Sequence, residues 1–597
     1  MIFNELFAAG KVREIIMKIY KTEHPNPQFK RKSWVSLNGE WDFGFEKAKS
    51  GFKFSTDCSR AMKICAENKY SHKINVPFCI ESVLSEIGYT DFVNLVWYRK
   101  KIDIRKNNQR VFLHIGAADY LTTVIVNSVT VGRHKGGYTS FSFDITDFVE
   151  NGENEIFILC EDDVKSSLVM RGKQSEKRKS HDCDYTRTTG IWQSVYIEYV
   201  PENYIRNFKI YPDTENACIT VSADLTGIGN LSCEAFYDGR TVGKVKMKNA
   251  AAHSILQLPL AETHLWEVGH GRLYDLKIKF GDDEVESYFG LRNVRLDGYK
   301  FLINNKSVFQ RLVLDQGYYQ DGIYTAKDDD EIRRDIELSI SLGFNGARLH
   351  QKVFEPRFLY WCDKLGYIVW GEYASWGFDH SNPKSVDIFL SEWKEAVERD
   401  FNHPSIIGWC PLNETWNYRG RRQYDALLST VYDYTKAVDF TRPCIDTSGN
   451  FHVKTDIYDV HDYNYDVDFF KKNFDRLVTE NDLYEHVLAE NPNRQKYNGE
   501  PVFVSEYGGI KWETDKSHKA WGYGVDVQTE DEFSQRYCGL TQALMDNEKM
   551  FGFCYTQLYD IEQEQNGLFT YKREKKFSDK VYEKIRKINS KIAAIEK

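Results

Sequence analysis

The alternation of apolar and polar positions changes character twice along the chain. From about residue 20 to 201 the sequence carries short alternating stretches, such as Gln109–Gly116 and Leu121–Val126. Turn pairs at Asn38-Gly39, Gly136-Gly137 and Asn151-Gly152 separate them. A period of two puts successive side chains on opposite faces, so this region predicts an all-β sandwich. A second β-rich block, 202–291, includes Cys218–Ser222 and Leu273–Phe280 and has the length of an immunoglobulin-like sandwich. From residue 292 to 597 apolar strands alternate with amphipathic helical stretches. The strands are read at Gln310–Leu314, Gly346–Leu349, Tyr367–Trp370, Ile406–Pro411, Cys444–Asp446, Ile457–Val460, Val502–Ser505 and Phe551–Tyr555. Between the first two, Asp328–Gly343 has an acidic first turn and a terminal glycine, which start and stop a helix. Eight such units predict a C-terminal (β/α)8 TIM barrel.

A chain of 597 residues is too long for one hydrophobic core, in keeping with three domains. Its net charge of −9 and lack of long basic runs exclude nucleic acid as the main partner. No stretch reaches the roughly 18 apolar residues that span a bilayer. The segment Met1–Tyr20 intersperses charges among its apolar residues and lacks a secretory core, which makes a cytoplasmic protein the default. The twelve cysteines contain no C-x-x-C pair and read as reduced, mostly buried thiols. No ligand cluster calls for a metal or a cofactor, and homo-oligomerisation stays open.

In such a barrel reactive groups gather at the carboxyl ends of the strands. The fourth strand runs out into Asn413 and Glu414, and the seventh into Glu506 followed by Tyr507-Gly508-Gly509. Two carboxylates on one rim are what glycosidic cleavage needs, one to protonate the leaving oxygen and one to attack the anomeric carbon or activate water.

The stretch Arg399–Glu414 closely resembles the acid/base signature of glycoside hydrolase family 2, which includes β-galactosidases, β-glucuronidases and β-mannosidases. Leu37–Phe43, Val76–Phe78, Val96–Arg99 and Thr189–Gln193 are similar to landmarks of that family's sugar-binding sandwich, and Phe289–Arg292 to its junction with the barrel. The resemblance implies a jelly-roll-like N-terminal β-sandwich, with Glu414 as acid/base and Glu506 as nucleophile. It further implies Asn413 on the sugar 2-hydroxyl, Tyr463 hydrogen-bonded to the nucleophile, Arg348 keeping Glu506 ionised, and Trp521 as an aromatic wall. At the second strand the family often reads Arg-x-Ser-His; here Arg348-Leu-His350 displaces the histidine by one position. Asp315, after the first strand, is a candidate for gripping sugar hydroxyls.

β-Glucuronidases of the family carry an Asn-x-Lys element that binds the sugar carboxylate. Glu564 and Asn566 fall in the corresponding stretch here. A carboxylate there should repel a uronate, so the sequence points to an exo-acting β-galactosidase-like enzyme for a neutral sugar. Alternatives are a β-glucuronidase, arabinosidase or galactofuranosidase of the same family, a transglycosylase, and a non-catalytic carbohydrate-binding protein.

Overall fold

The computed structural model describes residues 18–483, 494–513 and 520–597. Most of the Met1–Tyr20 segment therefore lies outside the described residues. The chain is a multidomain, β-rich protein ending in a TIM barrel.

The first sandwich packs a four-stranded sheet (Trp34–Ser36, Val195–Val200, Arg110–Ile115, Phe141–Asp144) on a six-stranded one, antiparallel throughout. The central strands of the larger sheet are Val93–Ile104 and Gly152–Glu161. Apolar residues at alternate positions, among them Val111, Leu113, Ile115, Val124, Ile156 and Ile158, meet between the sheets. The next region is built on two strands of 20 residues each, Cys218–Tyr237 and Arg240–Pro259. Their register shifts between Asp224 and Ile228, and the pairing partners change there. The first half pairs with Tyr204–Asp213 and the second with Tyr274–Phe280, which folds the ribbon over its own core.

The barrel strands run parallel in the order 4-3-2-1-8-7-6: Ile406–Cys410, Ile368–Glu372, Gly346–Leu349, Gln310–Asp315, Met550–Thr556, Val502–Gly508 and Tyr458–Asp462. These strands are buried on both faces, which suits apolar runs such as Ile368–Trp370, Ile406–Cys410 and Val502–Val504. The fifth is the short one. It consists of a bridge from Trp409 to Cys444 and of Thr447–Ser448 paired with Leu412–Asn413. Between the third and fourth strands Trp370 faces Gly408 and Gly371 faces Trp409. A Cβ on Gly408 would lie 2.3 Å from the Trp370 ring, and one on Gly371 2.7 Å from the Trp409 ring. Each indole thus fills the space a side chain leaves free on the neighbouring strand.

The helix after the first strand spans Asp329–Ser341, with Asp328 accepting from the Glu331 N–H at 2.9 Å. Such an N-cap contributes about 1 kcal/mol. All twelve cysteines are free, eight of them buried. No helix among the described residues is long and apolar enough to cross a membrane.

Candidate active site

The fourth and seventh strands bring Glu414 and Glu506 to one rim. Glu414 sits at φ +51°, a left-handed conformation that non-glycine residues keep only when the surroundings hold it. Its N–H donates to the Ser448 carbonyl at 2.9 Å, which ties it to the short fifth strand. An oxygen of Glu414, an oxygen of Glu506 and a nitrogen of His461 all lie within 4.8 Å of one another. Beside them opens a cavity of about 380 Å³ lined by Glu414, Trp416, Asn450, Phe451, His461 and Tyr463.

Glu506 is buried, and each of its oxygens is held. Arg348 Nη1 donates to Oε1 at 3.0 Å and Tyr463 Oη donates to Oε2 at 2.6 Å. Burial alone would raise its pKa, but the charges of His461 and Arg348 and the Tyr463 hydrogen bond hold it well below the usual carboxylate range. Arg348 is the hub of the site. Its guanidinium also donates to Asn413 Oδ1 at 2.7 Å, to the Ser505 carbonyl at 3.0 Å and to Glu372. Burial opposes its charge, while Glu372 and Glu506 more than offset that and keep it cationic. With Asn413 Oδ1 taken by Arg348, Asn413 Nδ2 is left buried without a partner.

His350 Nδ1 stands 3.0 Å from Glu372 Oε2, and its Nε2 lies 4.0 Å from Glu506 Oε1. Burial pushes its pKa well below the ordinary value, so it is neutral. Glu372 ends the third strand and is pushed up to about 7 by burial, against the opposing Arg348 charge. Neither it nor His461 figures among the residues expected from the sequence.

His461 touches both carboxylates through one nitrogen. Nδ1 is 2.8 Å from Glu414 Oε1 and 3.5 Å from Glu506 Oε2. Nε2 is 2.8 Å from Ser448 Oγ, which itself donates to Asp459 Oδ2 at 2.6 Å. Asp459 in turn faces His452, whose other nitrogen lies 2.8 Å from Asp446. Burial works against the His461 charge, but Glu506 and Glu414 raise its pKa above the ordinary histidine value.

The remaining expected residues lie farther from this centre. Trp521 contacts Tyr523 edge-on at 4.8 Å, and Tyr523 stacks on Tyr463 at 3.6 Å, so Trp521 is one ring removed from Glu506's partner. Asp315 is spent internally, its Oδ1 accepting from Tyr559 Oη at 2.6 Å and Gly317 N–H at 2.9 Å. Burial pushes it up to about 6. Glu564 is buried in a closed ring. It accepts from Tyr185 Oη and, at 2.9 Å, from Asn566 Nδ2; Asn566 accepts from Gln557 at 2.8 Å; Gln557 accepts from Gln316 at 2.6 Å; and Gln316 donates to Tyr185 Oη at 2.9 Å.

Two groups among the described residues have the spacing of metal ligands. One is Glu414, His461 and Glu506; the other is Glu176, His181 and Asp184. Cationic side chains already occupy both. Arg348 sits on Glu506, and Arg171 lies 3.2 Å from Glu176 and 2.8 Å from Asp184.

Comparison with known proteins matches this architecture domain by domain. The model of the sugar binding domain of glycosyl hydrolases family 2 covers residues 34–201, and that of the family's TIM barrel domain covers 294–519. The chain belongs to glycoside hydrolase family 2. Among its relatives in the family, a putative β-glucuronidase of Formosa agariphila is 28% identical over 340 residues, 54% of this chain and 40% of that protein. The mouse β-glucuronidase is 26% identical over 412 residues, 62% of this chain and 61% of the relative. The matched part thus spans less than two thirds of either relative. A β-D-glucuronidase structure from Dictyoglomus thermophilum superposes with a TM-score of 0.74 at 22% identity, covering 96% of this chain and 99% of that one, a likeness of fold.

For a family 2 barrel, the strand-end rule that picks out Glu414 and Glu506 also points to Glu372, the last residue of its own strand. His461 carries a weaker signal, sitting inside the strand Tyr458–Asp462 two residues before Tyr463.

Proposed function

We propose that this family 2 glycosidase is a retaining, exo-acting β-glycosidase that releases a terminal uronic acid, with Glu506 as nucleophile and Glu414 as acid/base. One observation carries the retaining reading: carboxylate oxygens of the two residues lie within 4.8 Å and share a single imidazole nitrogen. Retaining pairs stand about 5–5.5 Å apart, whereas inverting pairs need about 6.5–9.5 Å to admit a water between them.

In the first displacement a Glu506 oxygen bonds to the anomeric carbon as the bond to the leaving oxygen breaks, and Glu414 donates its proton to that oxygen. In the second, Glu414 takes a proton from water, the water oxygen bonds to the anomeric carbon, and Glu506 is released as a carboxylate. Arg348 and Tyr463 keep the attacking carboxylate ionised and oriented. Asn413 Nδ2, buried without a partner, supports its assignment as donor to the sugar's 2-hydroxyl, a bond that tightens as charge develops at the neighbouring carbon.

The substrate class departs from the neutral sugar expected from the sequence. The relatives named as β-glucuronidases favour a β-glucuronide over a β-galactoside. The β-galactosidase reading rested on Glu564 as a free repulsive charge, but its oxygens are taken up by Tyr185 and Asn566.

A panel of p-nitrophenyl β-glycosides, run with wild type and Glu506→Gln, tests both parts. Fastest turnover of the glucuronide, lost in the variant, is expected, together with a covalent fluoroglycosyl adduct on Glu506. Fastest turnover of the galactoside would return the substrate to the neutral class. Turnover that survives Glu506→Gln would refute the assigned nucleophile.

A further inference from the structure

The connection between the sandwich strands Gly152–Glu161 and Gly190–Ile191 leaves its own domain and lies on the barrel rim. Its backbone is fastened there: Arg171 N–H donates to the Trp376 carbonyl at 3.1 Å and Gly172 N–H to the Ala374 carbonyl at 3.2 Å. Gly172 has φ +56°, and a Cβ on it would stand 2.5 Å from the Gln351 carbonyl. Only a residue without a side chain lets the loop come this close. On the barrel side, Trp376 N–H donates to Gln351 Oε1 at 3.0 Å, which fixes the loop that receives it.

This seating delivers Lys173 to the mouth of the barrel. The residue is 4% exposed. Its ammonium lies 3.7 Å over the Trp376 ring and makes no hydrogen bond or ion pair among the described residues. A lysine buried this far is ordinarily paired, because an unpaired buried charge is costly. The neighbouring carbonyl groups do not serve it, and Glu564 is engaged in its ring. Burial opposes the charge, yet the carboxylates of Glu564 and Glu506 help to offset it and keep the ammonium protonated. Lys173 is thus close enough to feel the nucleophile and too far to pair with it.

We propose that Lys173, seated on Trp376, is the subsite for the carboxylate of the substrate's uronic acid ring, supplied by the sandwich domain to the barrel's active site. The inference rests on the uronic acid reading above. A sugar carboxylate provides the missing counter-ion of Lys173 while the anomeric carbon faces Glu506. The side chain determines specificity and takes no part in bond breaking.

The matched pair p-nitrophenyl β-glucuronide and β-glucoside, which differ at C6 alone, reads this out. Lys173→Met keeps the apolar stem and removes the charge. Loss of one charged hydrogen bond lowers kcat/KM on the glucuronide by about 10- to 100-fold, through KM, while the glucoside rate holds or rises. Lys173→Arg restores part of the glucuronide activity. Equal losses on both substrates would assign Lys173 a structural role and overturn the proposal, as would an unchanged glucuronide KM. Wild type that cleaves the glucoside but not the glucuronide would instead refute the uronic acid reading itself. Thermal unfolding of Lys173→Met separates misfolding from lost recognition. Calorimetric titration of free D-glucuronate into Glu506→Gln, with and without Lys173→Met, measures the same carboxylate contact without turnover; affinity that Lys173→Met leaves unchanged would overturn the proposal.

Discussion

Replacing His461 with asparagine isolates the electrostatic support of the nucleophile. Asparagine keeps a donor near the two carboxylates but removes the positive charge. In the wild type the raised pKa of His461 means that the imidazolium persists to higher pH than a free histidine, and its support is lost only as pH rises through that value. Glu506 has the opposite sign. Its lowered pKa keeps it ionised across the working range, and the active form disappears as pH falls through the folded value. Nδ1 of His461 stands 3.5 Å from Glu506 Oε2. Two unit charges at that distance interact by about 1 kcal/mol in bulk water and by about 5 kcal/mol at an effective dielectric near 20. At about 1.4 kcal/mol per unit, His461→Asn raises the acid limb of the kcat/KM profile by between about 1 and about 3 pH units. A dinitrophenyl glycoside is the substrate of choice, because its leaving group departs without protonation and the profile then reports the nucleophile. An acid limb that stays where it was, with the rate depressed at every pH, would refute the electrostatic role and leave His461 as packing.

Two further outcomes follow from the same network. Tyr463→Phe removes the 2.6 Å hydrogen bond to Glu506 Oε2; hydrogen bonds to charged groups contribute about 1.5–3 kcal/mol, so kcat/KM falls by about 10- to 150-fold in steady-state kinetics. His452, between Asp446 and Asp459, is pushed up to about 10 by those carboxylates against the opposing effect of burial. Its stabilisation is complete below the unfolded histidine pKa of about 6.5 and fades as pH rises toward the folded value. The gap in thermal unfolding midpoint between wild type and His452→Gln is therefore widest below about pH 6.5 and narrows steadily toward alkaline buffer.

The barrel was legible where strands are buried on both faces, since continuous apolar runs such as Ile406–Cys410 and Val502–Val504 leave few alternatives. The fifth strand is weak in sequence because it is weak in space, a bridge at Cys444 and two paired residues. That Glu414 and Glu506 share one rim could be read from the sequence because both follow barrel strands. Asp315 meets the same rule, yet its carboxylate is turned to Tyr559 and Gly317, a choice fixed by contacts far apart in the chain. Lys173 was out of reach for a related reason. It belongs to a sandwich connection, and its place beside Trp376 depends on how Gly172 seats that loop on the rim. Charge in the pocket was misjudged from Glu564 alone because the ring that orients its oxygens draws on Tyr185, Gln316 and Gln557 from three separate regions, and the charge that opposes it comes from Lys173.

The loop seated through Gly172 divides labour between two parts of the chain. In the proposed reaction bond making and breaking stay on the barrel strands, while the proposed carboxylate subsite arrives from the sandwich domain. On that proposal, reshaping this loop alters the subsite without disturbing the proposed catalytic carboxylates on the strands. The corresponding cost falls on independence: a barrel severed from its sandwich would keep Glu414 and Glu506 but lose Lys173 and the Tyr185 hydroxyl that holds Glu564.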